Sequence, residues 1–141
     1  MAVGLAQAAV DVVTEFVGHV RLGGRRLIDH QDVQLTVAQM LAETSAARAM
    51  VWQGARTWSP RQCVASMVKF HCTDTAMRVI EMGMDLMGEH ALPHRARLEK
   101  IYRDARLTQI FEGTNQVNRL SVVEDLQEHW LTSPLTQKVT P

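Results

Sequence analysis

Val64-Ala-Ser-Met-Val-Lys-Phe-His-Cys-Thr-Asp-Thr-Ala-Met-Arg-Val-Ile-Glu-Met-Gly83 carries the clearest periodicity in the chain. Val64, Met67, Val68, His71, Cys72, Thr75, Ala76, Val79, Ile80 and Gly83 recur at intervals of three and four, which lays them along one stripe of an α-helix. Ser59-Pro60 just ahead supplies a cap and a proline suited to a first helical position. Gly88 closes the segment, so one long helix is predicted from Ser59-Pro60 to Met87.

The same spacing extends in both directions. Leu5, Ala8, Ala9, Val12, Val13, Phe16 and Val20 predict a first helix over 2–21, stopped by Gly23-Gly24 and followed by a connector over 25–29. Val33, Val37, Met40, Leu41, Thr44, Ala47 and Val51 predict a second over 30–58, about 40 Å long. A loop containing Pro93 spans 89–95. A fourth helix over 97–110 follows, helped by Glu99–Arg103 and Lys100–Asp104 pairs at four-residue spacing. Glu112-Gly113 interrupts the pattern, and Thr114 or Asn115 can cap a fifth helix reaching Trp130. The expected fold is all-α, an up-down bundle of three long helices and two shorter ones over 1–131, with a polar tail over 132–141.

Bulk properties exclude several classes. A chain of 141 residues that is 46% hydrophobic can bury one real core. Its net charge of zero argues against general nucleic-acid binding. No apolar run approaches the length of a membrane span, and the N-terminus lacks signal-peptide character, so a cytoplasmic setting is expected. Cys63 and Cys72, on one predicted helix, would lie about 13 Å apart, beyond the reach of a disulfide; both read as small buried hydrophobes. Pro93 between His90 and His94 spoils a shared helical face, so no metal site is expected.

Glu112 stands out among the polar residues. It lies between two helices, after the apolar pair Ile110-Phe111 and before a glycine. A carboxylate in apolar surroundings tends to have a raised pKa, which suits a general base. From the residues alone, a solvated glutamate at a helix–helix turn is the simpler reading. Trp52, Trp58 and Trp130 are candidate interface residues, and Arg95, Arg97, Lys100, Arg103 and Arg106 read as a solvated face that could attract phosphates. His71 and Asp74 could pair within the bundle.

The segment from Ile101 to Arg119 contains Arg103-Asp104-Ala105, then Phe111-Glu112-Gly113-Thr114, then Gln116-Val-Asn-Arg119. It resembles the signature near the C-terminus of the acyl-CoA dehydrogenases. Gln31-x-x-Gln34 at the second helix and Lys69 in the third agree more loosely, so the resemblance covers residues 2–130, one of that family's three domains. It implies that Glu112 is the base that removes the α-proton of an acyl-CoA thioester while the β-hydrogen leaves as hydride to FAD. It further implies that the Glu112 backbone N–H donates to the thioester carbonyl, that Phe111 and Gly113 border the substrate, and that Thr114 and Gln116 contact FAD.

Two family motifs depart from this pattern. Where the family has an arginine and an aromatic that hold the FAD diphosphate of a neighbouring subunit, this chain has Val20 and Gly23, leaving Arg21 as the substitute one residue away. Where the family has a glutamine and a Gly-Gly-x-Gly loop, the chain has Asp85 and Gly88-Glu89-His90-Ala91. Carboxylates there repel a diphosphate unless cations intervene. The resemblance implies a role in fatty-acid metabolism, as a homo-oligomer or with a partner chain that supplies the family's other two domains. The weakened motifs leave an alternative, a non-catalytic assembly module derived from that domain.

Overall fold

The computed structural model describes residues 1–56, 62–94 and 96–128. Five α-helices lie among them: α1 (Ala2–His19), α2 (Gln31–Arg56), α3 (Gln62–Met87), α4 (Arg97–Thr108) and α5 (Asn115–Leu126). Each of the other four packs on α3, which is the axis of the domain. Ala2 and Val3 line one cavity with Val68 and Cys72. The Phe16 ring lies 5.3 Å from His90. Helix α1 therefore runs parallel to α3.

Helix α2 runs the other way. Met40 lies near Gly83, the Ala47 carbonyl accepts from Cys72 Sγ, and Gly54 meets Val68. Helix α4 is also antiparallel to α3, with Leu98 near Gly83 and Gln109 bonded to Asp74. The result is the expected up-down bundle, with α5 laid against the first half of α3.

Gly83 is where four helices meet. A Cβ there would fall 2.7 Å from Val13 Cγ2, 3.4 Å from Met40 Cε and 3.5 Å from Leu98 Cδ2. The absent side chain is what lets α1 approach α3 so closely. Around it Val13, Val17, Met40, Val79, Ile80 and Leu98 are buried. Thr44 is buried too, and its hydroxyl has no hydrogen-bond partner among the described residues.

Several boundaries differ from the sequence expectation. The buried face of α1 is Ala2, Ala6, Ala9, Val10, Val13 and Val17, while Leu5, Ala8, Val12 and Phe16 pack at its margin. That helix is apolar nearly all round, so spacing alone could not choose its inward face. It ends at His19. Arg21–Leu22 (β1) and Arg25–Arg26 (β2) form a small antiparallel hairpin turned by Gly23 and Gly24, with φ of +61° and +83°. Two left-handed residues suit the tight turn that matches strand twist.

A 3-10 turn at Leu27–Asp29, clasped by an Arg26–Asp29 pair at 2.8 Å, then leads into α2. Gly88, expected as the helix stop, and residues 89–91, expected as loop, form another 3-10 turn that buries Ala91. Helix α4 stops at Thr108, two residues early, because the chain is already turning toward Glu112. Cys72 is buried and Cys63 only half-buried.

The predicted end of the second helix, Ser59-Pro60, Trp58, Arg95, Trp130 and the tail lie outside the described residues. Trp52 is 63% exposed. No helix among the described residues is long and apolar enough to cross a membrane.

Candidate active site at the turn between α4 and α5

The end of α4 unwinds in a fixed sequence of bonds. Gln109 N–H donates to Arg106 O, and both Ile110 and Phe111 N–H donate to Leu107 O. Glu112 then takes φ +57° and Gly113 φ +82°. Two successive left-handed residues reverse the chain within one step. Thr114, not Asn115, caps α5, its Oγ1 accepting from Val117 N–H at 3.3 Å.

Among the described residues Glu112 is the one non-glycine with positive φ. That conformation costs roughly 1–2 kcal/mol in an L-residue. Gly113 is confined as well as left-handed, since a Cβ there would lie 3.2 Å from Asn118 Nδ2.

A polar cluster holds the turn from beneath. Lys69 Nζ donates to Gly113 O at 2.6 Å, to Asn115 Oδ1 at 2.7 Å and to Gln109 O at 3.3 Å. Asn115 is 3% exposed. Its Nδ2 donates to Thr73 Oγ1 at 2.8 Å and Asp74 Oδ1 at 2.6 Å.

Asp74 also accepts from Gln109 Nε2 at 2.6 Å and pairs with Arg119, whose guanidinium lies 4.9 Å above the Phe70 ring. Asp74 is thus committed to α4 and α5 rather than to His71, the pairing expected from their spacing. Burial pushes the Lys69 ammonium below its ordinary pKa, and the nearby Asp74 carboxylate opposes that shift. The Glu99–Arg103 and Lys100–Asp104 pairs are both present on the outer face of α4. The Arg103 guanidinium beside Glu99 holds that carboxyl below its usual range.

Two hollows flank the turn. One, of about 240 Å³, is lined mainly by apolar residues, Ala2, Val51, Val68, Cys72 and Phe111, with Glu112 and Lys69 also on its wall. The other, of about 260 Å³, is polar, with Asp74, Arg106, Gln109, Thr114, Gln116 and Arg119. Phe111, Glu112 and Gly113 are exposed. The apolar enclosure expected around the Glu112 carboxylate is therefore open in this chain, because Ile110 and Phe111 lie 56% and 43% exposed instead of folding over it.

The structure brings Phe111, Glu112, Gly113, Thr114 and Gln116 together and leaves the other expected site residues far off. Asp85 is exposed three helical turns beyond Asp74, about 16 Å along α3, beside Leu35, Gln39 and Met82. Gly88 lies just after it with φ +53°. Arg21 sits in the hairpin after the parallel α1, its guanidinium donating to Gly24 O at 3.1 Å. These three belong to the opposite end of the bundle from Glu112.

The sequence singles out Lys69 without a role and Asn115 only as a candidate cap, and it gives no sign of the part that Thr73 and Gln109 play. Their partners lie 35 to 46 residues away, so no local signal could have found them.

A family model for the acyl-CoA dehydrogenase C-terminal domain matches residues 1–127. The cyclohexane-1-carbonyl-CoA dehydrogenase of Geobacter metallireducens is 30% identical over 128 residues, covering 89% of this chain and 34% of that protein. Butyryl-CoA dehydrogenase from Megasphaera elsdenii superposes with a TM-score of 0.84 at 28% identity, over 89% of this chain and 33% of that one. A glutaryl-CoA dehydrogenase from Mycobacterium smegmatis, solved in complex with FADH2, shares the fold at TM-score 0.84 and 17% identity, over 90% and 34% of the two chains. The chain spans about a third of the length of the relatives it matches.

Proposed function

The chain belongs to the acyl-CoA dehydrogenase family as a counterpart of its C-terminal helical domain, and from that premise we propose that it supplies Glu112 as the base for α,β-dehydrogenation of an acyl-CoA thioester. The observation that carries this reading is the turn at Glu112, a strained left-handed residue on the wall of a largely apolar cavity, followed at once by a left-handed glycine. Strain of this kind persists only where the surroundings over-determine it, and it concentrates at functional sites.

Glu112 would take the α-proton on a carboxylate oxygen. As that C–H bond breaks, its electron pair passes toward the thioester carbonyl. The Glu112 backbone N–H is suited to stabilise the growing negative charge, since no oxygen of the described residues accepts from it. Phe111 and Gly113 would border the reacting carbons, with glycine letting the main chain come close. FAD, when bound, supplies the acceptor for the β-hydride, so that a saturated thioester yields the enoyl thioester and reduced flavin.

The α5 end of the site fits a phosphate-bearing cofactor. It offers a helix N-terminus with Thr114 and Gln116, and the Arg106 and Arg119 guanidiniums border the same cleft. Arg21, Asp85 and Gly88, at the opposite end, would meet the cofactor of another copy. Exposed Leu120, Val123 and Leu126 on α5, with Leu107 on α4, suit cover by a second copy or by domains like those of the longer relatives.

The experiment is Glu112→Gln in the complete acyl-CoA-oxidising assembly. Turnover should fall by several orders of magnitude with the fold intact. Wild-type flavin bleaching by substrate in that variant would reject Glu112 as the base. A second reading, a non-catalytic assembly module, is favoured by the Asp85 and Glu89 carboxylates at the diphosphate motif. It requires that neither the chain nor its assembly shift the visible spectrum of added FAD.

A further inference from the structure

Lys69 places all three of its ammonium hydrogens on one target. Two go to main-chain carbonyls on either side of the strained turn, Gln109 O before it and Gly113 O after it. The third goes to Asn115 Oδ1, at the first residue of α5. The Gln109 carbonyl also accepts from Asn115 N–H at 3.1 Å, so the segment over 109–115 is a closed loop with the ammonium at its neck. Asn118 Nδ2 adds a second donor to Gly113 O at 3.0 Å.

Among the described residues no carboxylate pairs with Lys69 directly. Asp74 is reached through Asn115, and burial works against the charge. A cation kept in such a place, with neutral oxygens as acceptors, is poorly explained as an ion-pair partner. It is well explained as a three-pronged donor, which lysine alone presents from a single atom on a flexible stem.

We propose that Lys69 is a positioning residue that fixes the Glu112–Gly113 peptide, and with it the direction of the Glu112 carboxylate and N–H. This rests on Glu112 being the base. The reason the site needs such a clamp is geometric. Positive φ at Glu112 is not the conformation that an exposed glutamate holds by default, and release of either flanking carbonyl lets the peptide it shares with Gly113 rotate. A base displaced by about 1 Å from its proton loses on the order of a hundredfold in rate.

Lys69→Met keeps the stem and removes every donor. In the full 141-residue chain, amide hydrogen exchange by NMR should speed up at Asn115 by roughly tenfold or more, with Val79 and Ile80 unchanged, because only the local closing bonds are lost. In the complete assembly, kcat should fall by about a hundredfold with KM within about threefold, as expected for lost orientation rather than lost binding. Lys69→Arg retains charge and several donors and should recover part of both losses; recovery no better than methionine overturns the proposal. Unchanged exchange at 109–115, or equal loss of protection at Ile80, also overturns it. Glu112→Gln is measured alongside. An inactive Glu112→Gln beside a fully active Lys69→Met removes the role of Lys69 alone, whereas an active Glu112→Gln removes the base assignment beneath it.

Discussion

Gly83 and Lys69 lie on the same helix about 21 Å apart, and the two ends they define are held by opposite means. At Gly83 the contacts are carbon on carbon from α1, α2 and α4, and the position works because nothing is there. At Lys69 the contacts are directed hydrogen bonds to α4, the turn and α5, and the position works because of what one nitrogen donates. Close packing penalises added volume steeply and is indifferent to direction. A polar cluster tolerates changes of volume but loses heavily when one partner is removed and another is left buried and unpaired. The first kind of region sets how the bundle assembles; the second sets where a single peptide points.

The largest effect should come from breaking the packed end. Gly83→Val drives a branched side chain into Val13, Met40 and Leu98 and should cost about 3 kcal/mol, seen as a fall in denaturation midpoint at constant slope. Asn115→Leu at the polar end should cost about 2 kcal/mol, since Thr73, Asp74 and Lys69 all lose a partner. Its mark is proportion. Activity of the assembly should fall further than stability, whereas Gly83→Val should reduce activity only as far as it unfolds the chain. Activity and stability falling in parallel for Asn115→Leu would erase the distinction between the two ends.

Gly113→Ala should cost about 1 kcal/mol, from positive φ and the 3.2 Å approach to Asn118, with the loss confined to exchange at 109–118. Thr44→Val should do least. It replaces a buried hydroxyl without a partner by a methyl group of similar size, so stability should hold or rise by up to about 1 kcal/mol. A clear destabilisation there would mean that the hydroxyl is satisfied in solution.

This contrast also explains what could be read in advance. Packing leaves a periodic trace, so the stripe from Val64 to Gly83 located α3 and Gly83 itself lay on it. Where the trace was saturated, as in the nearly all-apolar α1, the inward face was misjudged by one step around the helix. The hairpin at Gly23-Gly24 was missed although it had a signal. Two adjacent glycines between short flanks are a two-residue turn as readily as a helix stop. The break at Glu112-Gly113 was legible through the residues around it, because a turn is local. Its support was not, because Lys69 reaches Gly113 across 44 residues and a hydrogen bond leaves no period behind.

Every amino acid other than glycine begins its side chain with the same carbon, so position 83 has no conservative neighbour. A chromosome that carries this gene cannot drift there by small steps, since the smallest possible change already collides with Val13. The order of events in any lineage is therefore constrained. A smaller residue at 13 has to arise first, at its own cost in lost contacts, before anything can be fixed at 83, and the return has to run in the reverse order, with glycine restored at 83 before valine at 13. Divergent copies of this domain should carry a side chain at 83 only where position 13 is smaller than valine, whereas a smaller residue at 13 beside Gly83 is allowed.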